Sequence, residues 1–215
     1  MTTFEEIRLG DLDEALTITR GFPTQRAEPT GEVRVMSLAA LRNQAPPKAF
    51  ADRDAIADLG LDLAQPGDVL VAVEGGTVGE ALVVPEGIDE FVPSQQVVTL
   101  RVVDAARLDP WYLGAWLTTD PAHEQLRRLA RGQGIQRIPI KDLASLTVRV
   151  PPMADQREIG RRFRAFENAI RAHRSVTACL EELRDVDLVA TFADVGTHHS
   201  DEATSTKRKV ITHGR

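Results

Sequence analysis

The chain has 215 residues, 42% hydrophobic and 5% aromatic, enough for one domain of about 150 residues with a largely aliphatic core plus an appendage. Its single cysteine, Cys179, excludes an intrachain disulfide and any thiolate-rich zinc or iron-sulfur site. The net charge of -6 is unevenly spread: residues 1–100 hold 7 Lys/Arg against 17 Asp/Glu, residues 101–175 hold 14 against 8, and residues 176–215 hold 5 against 7.

Phosphate attraction depends on the local face and not on the chain total, so the basic block is where a nucleic acid would lie. No run approaches the ~18 consecutive apolar residues of a membrane span, and Met1 to Glu6 has no basic region of a secretory signal. The expected location is the cytoplasm.

From the start, Phe4 to Leu9 alternates loosely, Gly10-Asp11 punctuates, and Gly21-Phe22-Pro23-Thr24-Gln25 is a loop by its Gly/Pro chemistry. Val33 to Leu38 alternates at period two and predicts a strand. Asn43 to Lys48, with Pro46-Pro47, cannot be regular structure. Between Gly67 and Val84, two apolar runs flank a Gly-rich turn and predict a β-hairpin with a longer loop. Val97 to Val103 is a further strand. Asp109 suits an N-cap and Pro110 a first helical turn; a second helix is expected from Pro121 to Arg131, broken by Gly132 and Gly134. Leu143 to Val150 is read as the last strand, ended by Pro151-Pro152.

From Asp155 the apolar positions Ile159, Phe163, Phe166 and Ile170 step by 4, 3 and 4, and continue after a slip near His173 at Val176, Leu180 and Leu183. That is a coiled-coil-like seam on a helix of about 35 residues, about 50 Å long. Such a stripe needs a partner helix. Cys179 is read as a small, partly buried residue of this helix. Beyond about Phe192 the chain turns polar and a disordered tail is expected, with His198-His199 too sparse a pair for a specific metal site. The divisions are thus 1–152 for the domain, 153–192 for the helix and 193–215 for the tail.

No catalytic set stands out. Pro151-Pro152 is flanked by Val150 and Met153, without the Asn or Asp before and aromatic after that an adenine-N6 methyltransferase needs to grip a flipped base. Gly75-Gly76-Thr77-Val78-Gly79 lacks the Gly-Lys-Ser/Thr ending of a phosphate loop and reads as a hairpin turn.

The candidate binding surface is Glu124 to Lys141. Arg127, Arg128 and Arg131 lie within about one helical turn of one another, followed by Gln133, Gly134, Gln136, Arg137 and Lys141. Arg and Lys anchor phosphates, Gln and Arg can contact adenine or guanine edges, and glycines let the backbone approach a duplex. A solvated helix end complementing its dipole is the plainer alternative. Secondary candidates are the loop residues Arg20, Thr24, Gln25 and Arg26 and the hairpin tip Thr77. Arg157, Arg161, Arg162 and Arg164 at the helix start could track phosphates, dock on an acidic protein, or simply be a solvated flank.

Taken in order, these pieces carry a resemblance. They are Ile18-Thr19-Arg20-Gly21; Gly67-Asp68-Val69-Leu70 leading into the Gly-rich turn; Asp109-Pro110-Trp111-Tyr112-Leu113; the loop Gly132 to Gln136 before Ile138, Leu143 and Leu146; and Val148, Val150, Pro151, Pro152, Asp155, Gln156 and Ile159. Over roughly residues 10 to 190 the chain resembles a target recognition domain, with its spacer helix, of the DNA-specificity subunits of type I restriction-modification systems. Members usually carry two such domains and two spacer helices, whereas this chain has room for one of each.

The resemblance implies an α+β fold: a small twisted-sheet recognition domain followed by a long coiled-coil spacer helix. It implies a non-catalytic subunit with no cofactor of its own that reads a bipartite site in double-stranded DNA. The expected partners are a DNA adenine methyltransferase subunit that binds S-adenosylmethionine, a second copy or another half-subunit, and an ATP-dependent restriction subunit. A small nuclease or a protein-interaction adaptor of a defence operon is the alternative from another class.

Overall fold

The computed structural model describes residues 4–209, except for the side chains of residue 190 and of residues 193 onward. By its internal contacts the chain divides into two units, Met1–Ile170 and Arg171–Arg215. No helix among the described residues is long and apolar enough to cross a membrane.

The first unit is α+β, as expected. Its centre is an antiparallel sheet of β2 (Leu16–Arg20), β8 (Val97–Val102), β5 (Val69–Ala72) and β6 (Ala81–Val83), in that order. The central strands β5 and β8 are apolar almost without interruption because both sheet faces are covered. Val69, Val71, Val98 and Leu100 share one cluster with Leu113 and Leu117 of α3 (Pro110–Leu117) and Leu126 of α4 (Asp120–Leu129). Leu70, Ala72 and Val97 face the other way, toward Leu38 and Leu41 of α1 (Leu38–Arg42).

Two smaller sheets flank this one. In the first, β4 (Phe50–Ala51) and β7 (Phe91–Pro93) pair with β3 (Val33–Met36), antiparallel and parallel respectively, over a third cluster that includes Ile56 of α2 (Arg53–Asp58). In the second, β1 (Glu5–Arg8) pairs antiparallel with β9 (Thr147–Val150), Glu5 opposite Val150 and Arg8 opposite Thr147, so the opening residues are zipped to the close of the domain.

Several expected elements are found: β3, the β5–β6 hairpin, β8, and α3 with Asp109 as N-cap, whose carboxylate accepts from Tyr112 N at 2.8 Å. The last strand is shorter than expected. Leu143 belongs to α5 (Ile140–Leu143), and its buried side chain serves the core from a helical turn before β9 begins at Thr147.

The prolines end β9 and open α6 (Met153–Lys209). The compact unit runs beyond residue 152 to Ile170 because the first turns of α6 pack on α3. Gly160 allows that approach, since a Cβ there would lie 2.4 Å from Asp109 Oδ1 and 3.0 Å from Tyr112 N. Buried Gln156 ties the junction: its Oε1 accepts from Asp109 N at 3.0 Å, and its Nε2 donates to the carbonyls of Pro151 (3.0 Å) and Arg107 (3.4 Å).

The second unit holds the remainder of α6. Val176, Leu180 and Leu183 are exposed, and so is Cys179, which corrects the expected partial burial: none of the described residues buries this part of the helix. The tail expected over 193–215, with its histidine pair, lies outside the residues whose side chains are described.

Candidate nucleic-acid interface

The four-stranded sheet has two ends of different construction. Arg20 at the close of β2 pairs with Val98 near the start of β8, and Ala72 at the close of β5 pairs with Val97. Everything connected to those residues therefore gathers at one end: the loop after β2, the turn between β7 and β8, the tip between β5 and β6, and the segment docked on that tip.

Hydrogen bonds link these loops in series. Thr24 N donates to Gln95 Oε1 at 3.4 Å, joining the loop after β2 to the β7–β8 turn. Val73 N donates to the Gln96 carbonyl at 2.8 Å, and Ile138 N donates to the Val73 carbonyl at 2.8 Å. Gly75 N donates to the Gln136 carbonyl at 3.0 Å. The loop from Arg131 to Arg137 closes on itself, Arg131 N donating to Arg137 O (2.9 Å) and Arg137 N to Arg131 O (2.8 Å). Gly132 is required inside it: its φ is +116°, and a Cβ would lie 2.5 Å from the Ile135 carbonyl oxygen.

The candidates between Arg20 and Lys141 lie on or beside these loops, whereas Arg157, Arg161, Arg162 and Arg164 lie at the start of α6. Arg127, Arg128, Arg131, Gln133, Gly134, Gln136, Arg137 and Lys141 are exposed, as are Thr24 and Gln25, while Thr77 is half-buried in the β5–β6 tip. The helix α4 that carries Arg127 and Arg128 is seated against the same tip, because Gly79 lies beside Leu126. The far side of α4 is fixed by Gln125, whose amide exchanges two 3.0 Å hydrogen bonds with the backbone of Thr147.

The basic residues are of two kinds. Arg128 pairs with Glu124, Arg131 with Asp142 at 2.7 Å, and Arg137 with Glu74 at 3.6 Å. The first lies within α4, while the other two tie the 131–137 loop to α5 and to the β5–β6 tip. Arg20, Arg26, Arg127 and Lys141 are exposed and have no ion pair among the described residues. Two residues of this end that the sequence reading passed over are Gln95, half-buried, and Gln96, exposed. Their signal was the polar pair Gln95-Gln96 between apolar runs, hidden because Pro93 disguised β7.

The opposite end is built as a joint. Asp68, at the start of β5, is 2% exposed; its two oxygens accept from Arg101 Nε and Nη2 at 2.8 Å each, and Oδ2 also accepts from Gln65 N at 2.8 Å. The hydrogen bonds to that carboxylate hold the Arg101 guanidinium above its ordinary pKa. The α3–α6 junction lies at this end, where Tyr112 donates its hydroxyl hydrogen to the Arg149 carbonyl; burial pushes its pKa up to about 12.

The start of α6 uses its charges locally. Glu158 accepts from Arg161 and Arg162, which hold its carboxyl below the usual range, and Arg164 reaches Glu86 at 2.8 Å over the Trp111 ring. Phe163, expected to face a partner helix, instead faces its own domain, 6.4 Å from the Trp111 ring centroid. Ile159, Phe166 and Ile170 remain exposed.

The sequence matches the family described as Type I restriction modification DNA specificity domain over residues 1–182. The chain belongs to this family. The family is a non-catalytic DNA specificity family. Its fold is similar to that of the Type-I restriction-modification system S subunit from M. genitalium, with a TM-score of 0.60 and 19% identity over 86% of this chain and 44% of that one. It is also similar to a chain in a structure describing complex assembly and conformational transition of the type I R-M system, with a TM-score of 0.53 and 21% identity over 83% of this chain and 42% of that one. The chain therefore spans less than half the length of either protein. No curated protein matches the sequence.

Proposed function

We propose that this specificity domain reads double-stranded DNA with the loop end of its four-stranded sheet. What supports the reading is the gathering there of unpaired Arg20, Arg26, Arg127 and Lys141 around exposed Gln133, Gln136 and Gln96. The cations give salt-dependent hold on phosphates, and the amides suit base edges in the major groove. Arg131 and Arg137 keep the loops in place, Arg128 is paired along its own helix, and all three turn toward DNA only at the expense of their carboxylate partners. Thr24, Gln25, Thr77 and Gly134 serve as backbone-proximal contacts.

In this proposal α6 is the spacer. Ile159, Phe166 and Ile170, with Leu180 and Leu183 farther along, form the apolar seam that meets a helix of a second copy or of another half-subunit. Phe163 stays with its own domain and steers the helix. Twofold pairing presents two recognition domains to a bipartite, interrupted palindrome, since the symmetry of the protein imposes that of the site. The assembly works in the cytoplasm with a DNA adenine methyltransferase subunit, which supplies S-adenosylmethionine chemistry, and with an ATP-dependent restriction subunit.

Mapping N6-methyladenine across the source genome, with and without the gene, tests the proposal. Loss of the mark at one interrupted palindrome is expected. Loss at an asymmetric motif would mean a different second half, and an unchanged methylome would overturn the methyltransferase partnership.

A further inference from the structure

Outside α6, the exposed large apolar residues among those described are Phe4 at 50%, Val103 at 55% and Ile135 at 72%. Phe4 is covered on one face by the Arg149 guanidinium, 5.0 Å from the ring centroid, and Val103 follows β8 at the joint end of the sheet. Ile135 alone stands at the loop end, and it is the most exposed of the three.

Its loop is not slack. The mutual Arg131–Arg137 hydrogen bonds close it, Gly75 N and Ile138 N dock its base, and Gly132 turns the chain so that the Ile135 carbonyl folds inward. A β-branched side chain has few rotamers, so Ile135 is a stiff apolar tip on a braced support, flanked by Gln133 and Gln136. None of the apolar clusters among the described residues includes it. The surface of duplex DNA offers one apolar group on a base edge in the major groove, the 5-methyl of thymine, and the same A·T pair presents the adenine edge that a Gln side chain suits. Resting on the DNA-recognition reading above, we infer that Ile135 is a specificity-determining residue that packs against a thymine methyl in the major groove.

The full chain is used to select a motif from a randomised duplex pool. Each thymine of that motif is then replaced singly by deoxyuridine, which removes only the methyl group, and binding is followed by fluorescence anisotropy. One thymine is expected at which methyl loss weakens wild-type binding about fourfold, the value of one buried methyl. Ile135→Ala should lose affinity for the thymine duplex yet be indifferent to deoxyuridine at that position, the non-additivity that marks a direct contact. Ile135→Val, with its branch retained, should keep part of the discrimination. An Ile135→Ala protein as sensitive as wild type at every thymine overturns the inference while leaving DNA recognition intact. So does loss of affinity with no methyl dependence, the mark of a side chain wedged between base steps. If wild type selects no motif, the DNA-recognition reading falls and this inference with it.

Discussion

The two ends of the β2–β8–β5–β6 sheet spend their polar groups in opposite ways. At the joint end, Asp68 and Arg101 pair with each other, and the Gln156, Asp109 and Tyr112 side chains bond backbone groups inside the protein. At the loop end, backbone hydrogen bonds tie the bases of the loops while Arg127, Lys141, Gln133 and Gln136 have no side-chain partner among the described residues. A recognition surface thus combines a rigid main chain with uncommitted side chains, and the opposite end supplies the rigidity. Substitutions at the joint end should therefore change stability, and those at the loop end binding alone.

The largest expected effect is at Asp68. Asp68→Ala leaves the half-buried Arg101 guanidinium with only exposed Asp62 and the Leu63 carbonyl and strands Gln65 N, which costs about 3 kcal/mol, the lower end for buried pairs. Chemical unfolding followed by tryptophan fluorescence measures it. A loss below about 1 kcal/mol would place the pair in the class of solvated surface bridges and break the contrast between the ends.

Tyr112 provides the next test, because it is the only tyrosine and its ionisation can be read from ultraviolet absorbance of the whole protein. Its folded pKa of about 12 lies above the ordinary value of 10.0, so the folded state holds the proton more tightly. The resulting stabilisation is complete below pH 10 and is lost as pH rises from 10 toward 12. The shift corresponds to about 3 kcal/mol. A tyrosinate signal appearing near pH 10 in protein that remains folded would show an open joint.

Gln156→Ala is expected to cost about 1–3 kcal/mol, since it strands the Asp109 N–H and two carbonyls around a residue only 2% exposed. Gln156→Glu recovers the acceptor to Asp109 N but turns a charged oxygen on two carbonyls inside the protein, and so should be no more stable than Gln156→Ala. Equal stability of all three proteins in thermal melts would remove Gln156 from the joint.

What the sequence made legible follows from where the signal was local. Asp109-Pro110, the Gly-rich turn and Pro151-Pro152 fix their own backbone, and each marks a boundary the structure keeps. The gathering of Arg20, Thr77 and Lys141 at one end was not legible as geometry, because it depends on the order β2-β8-β5-β6, in which strands distant in sequence lie side by side. The three-stranded sheet escaped notice for a related reason: β4 has two residues and β7 ends in a proline, so neither carries a period. Phe163 was misjudged because helical spacing tells which residues share a stripe and not which neighbour covers each of them. The small side chain of Gly160, one turn before, was the available clue that α3 lies close.

The smallest effect is the most discriminating between the two ends. Replacing Arg127 and Lys141 together by Gln removes two exposed charges that have no ion pair among the described residues, so stability should change by no more than about 0.5 kcal/mol. Removing one phosphate anchor lowers the slope of log affinity against log salt by about one, so the double variant should bind with a slope reduced by about two, uniformly across duplex sequences. Arg128→Gln, whose partner Glu124 already neutralises it, should reduce the slope by less. If the paired and unpaired arginines reduced the slope equally, the ion pairs would have to open on binding, and the loop end would be less preformed than its hydrogen bonds imply.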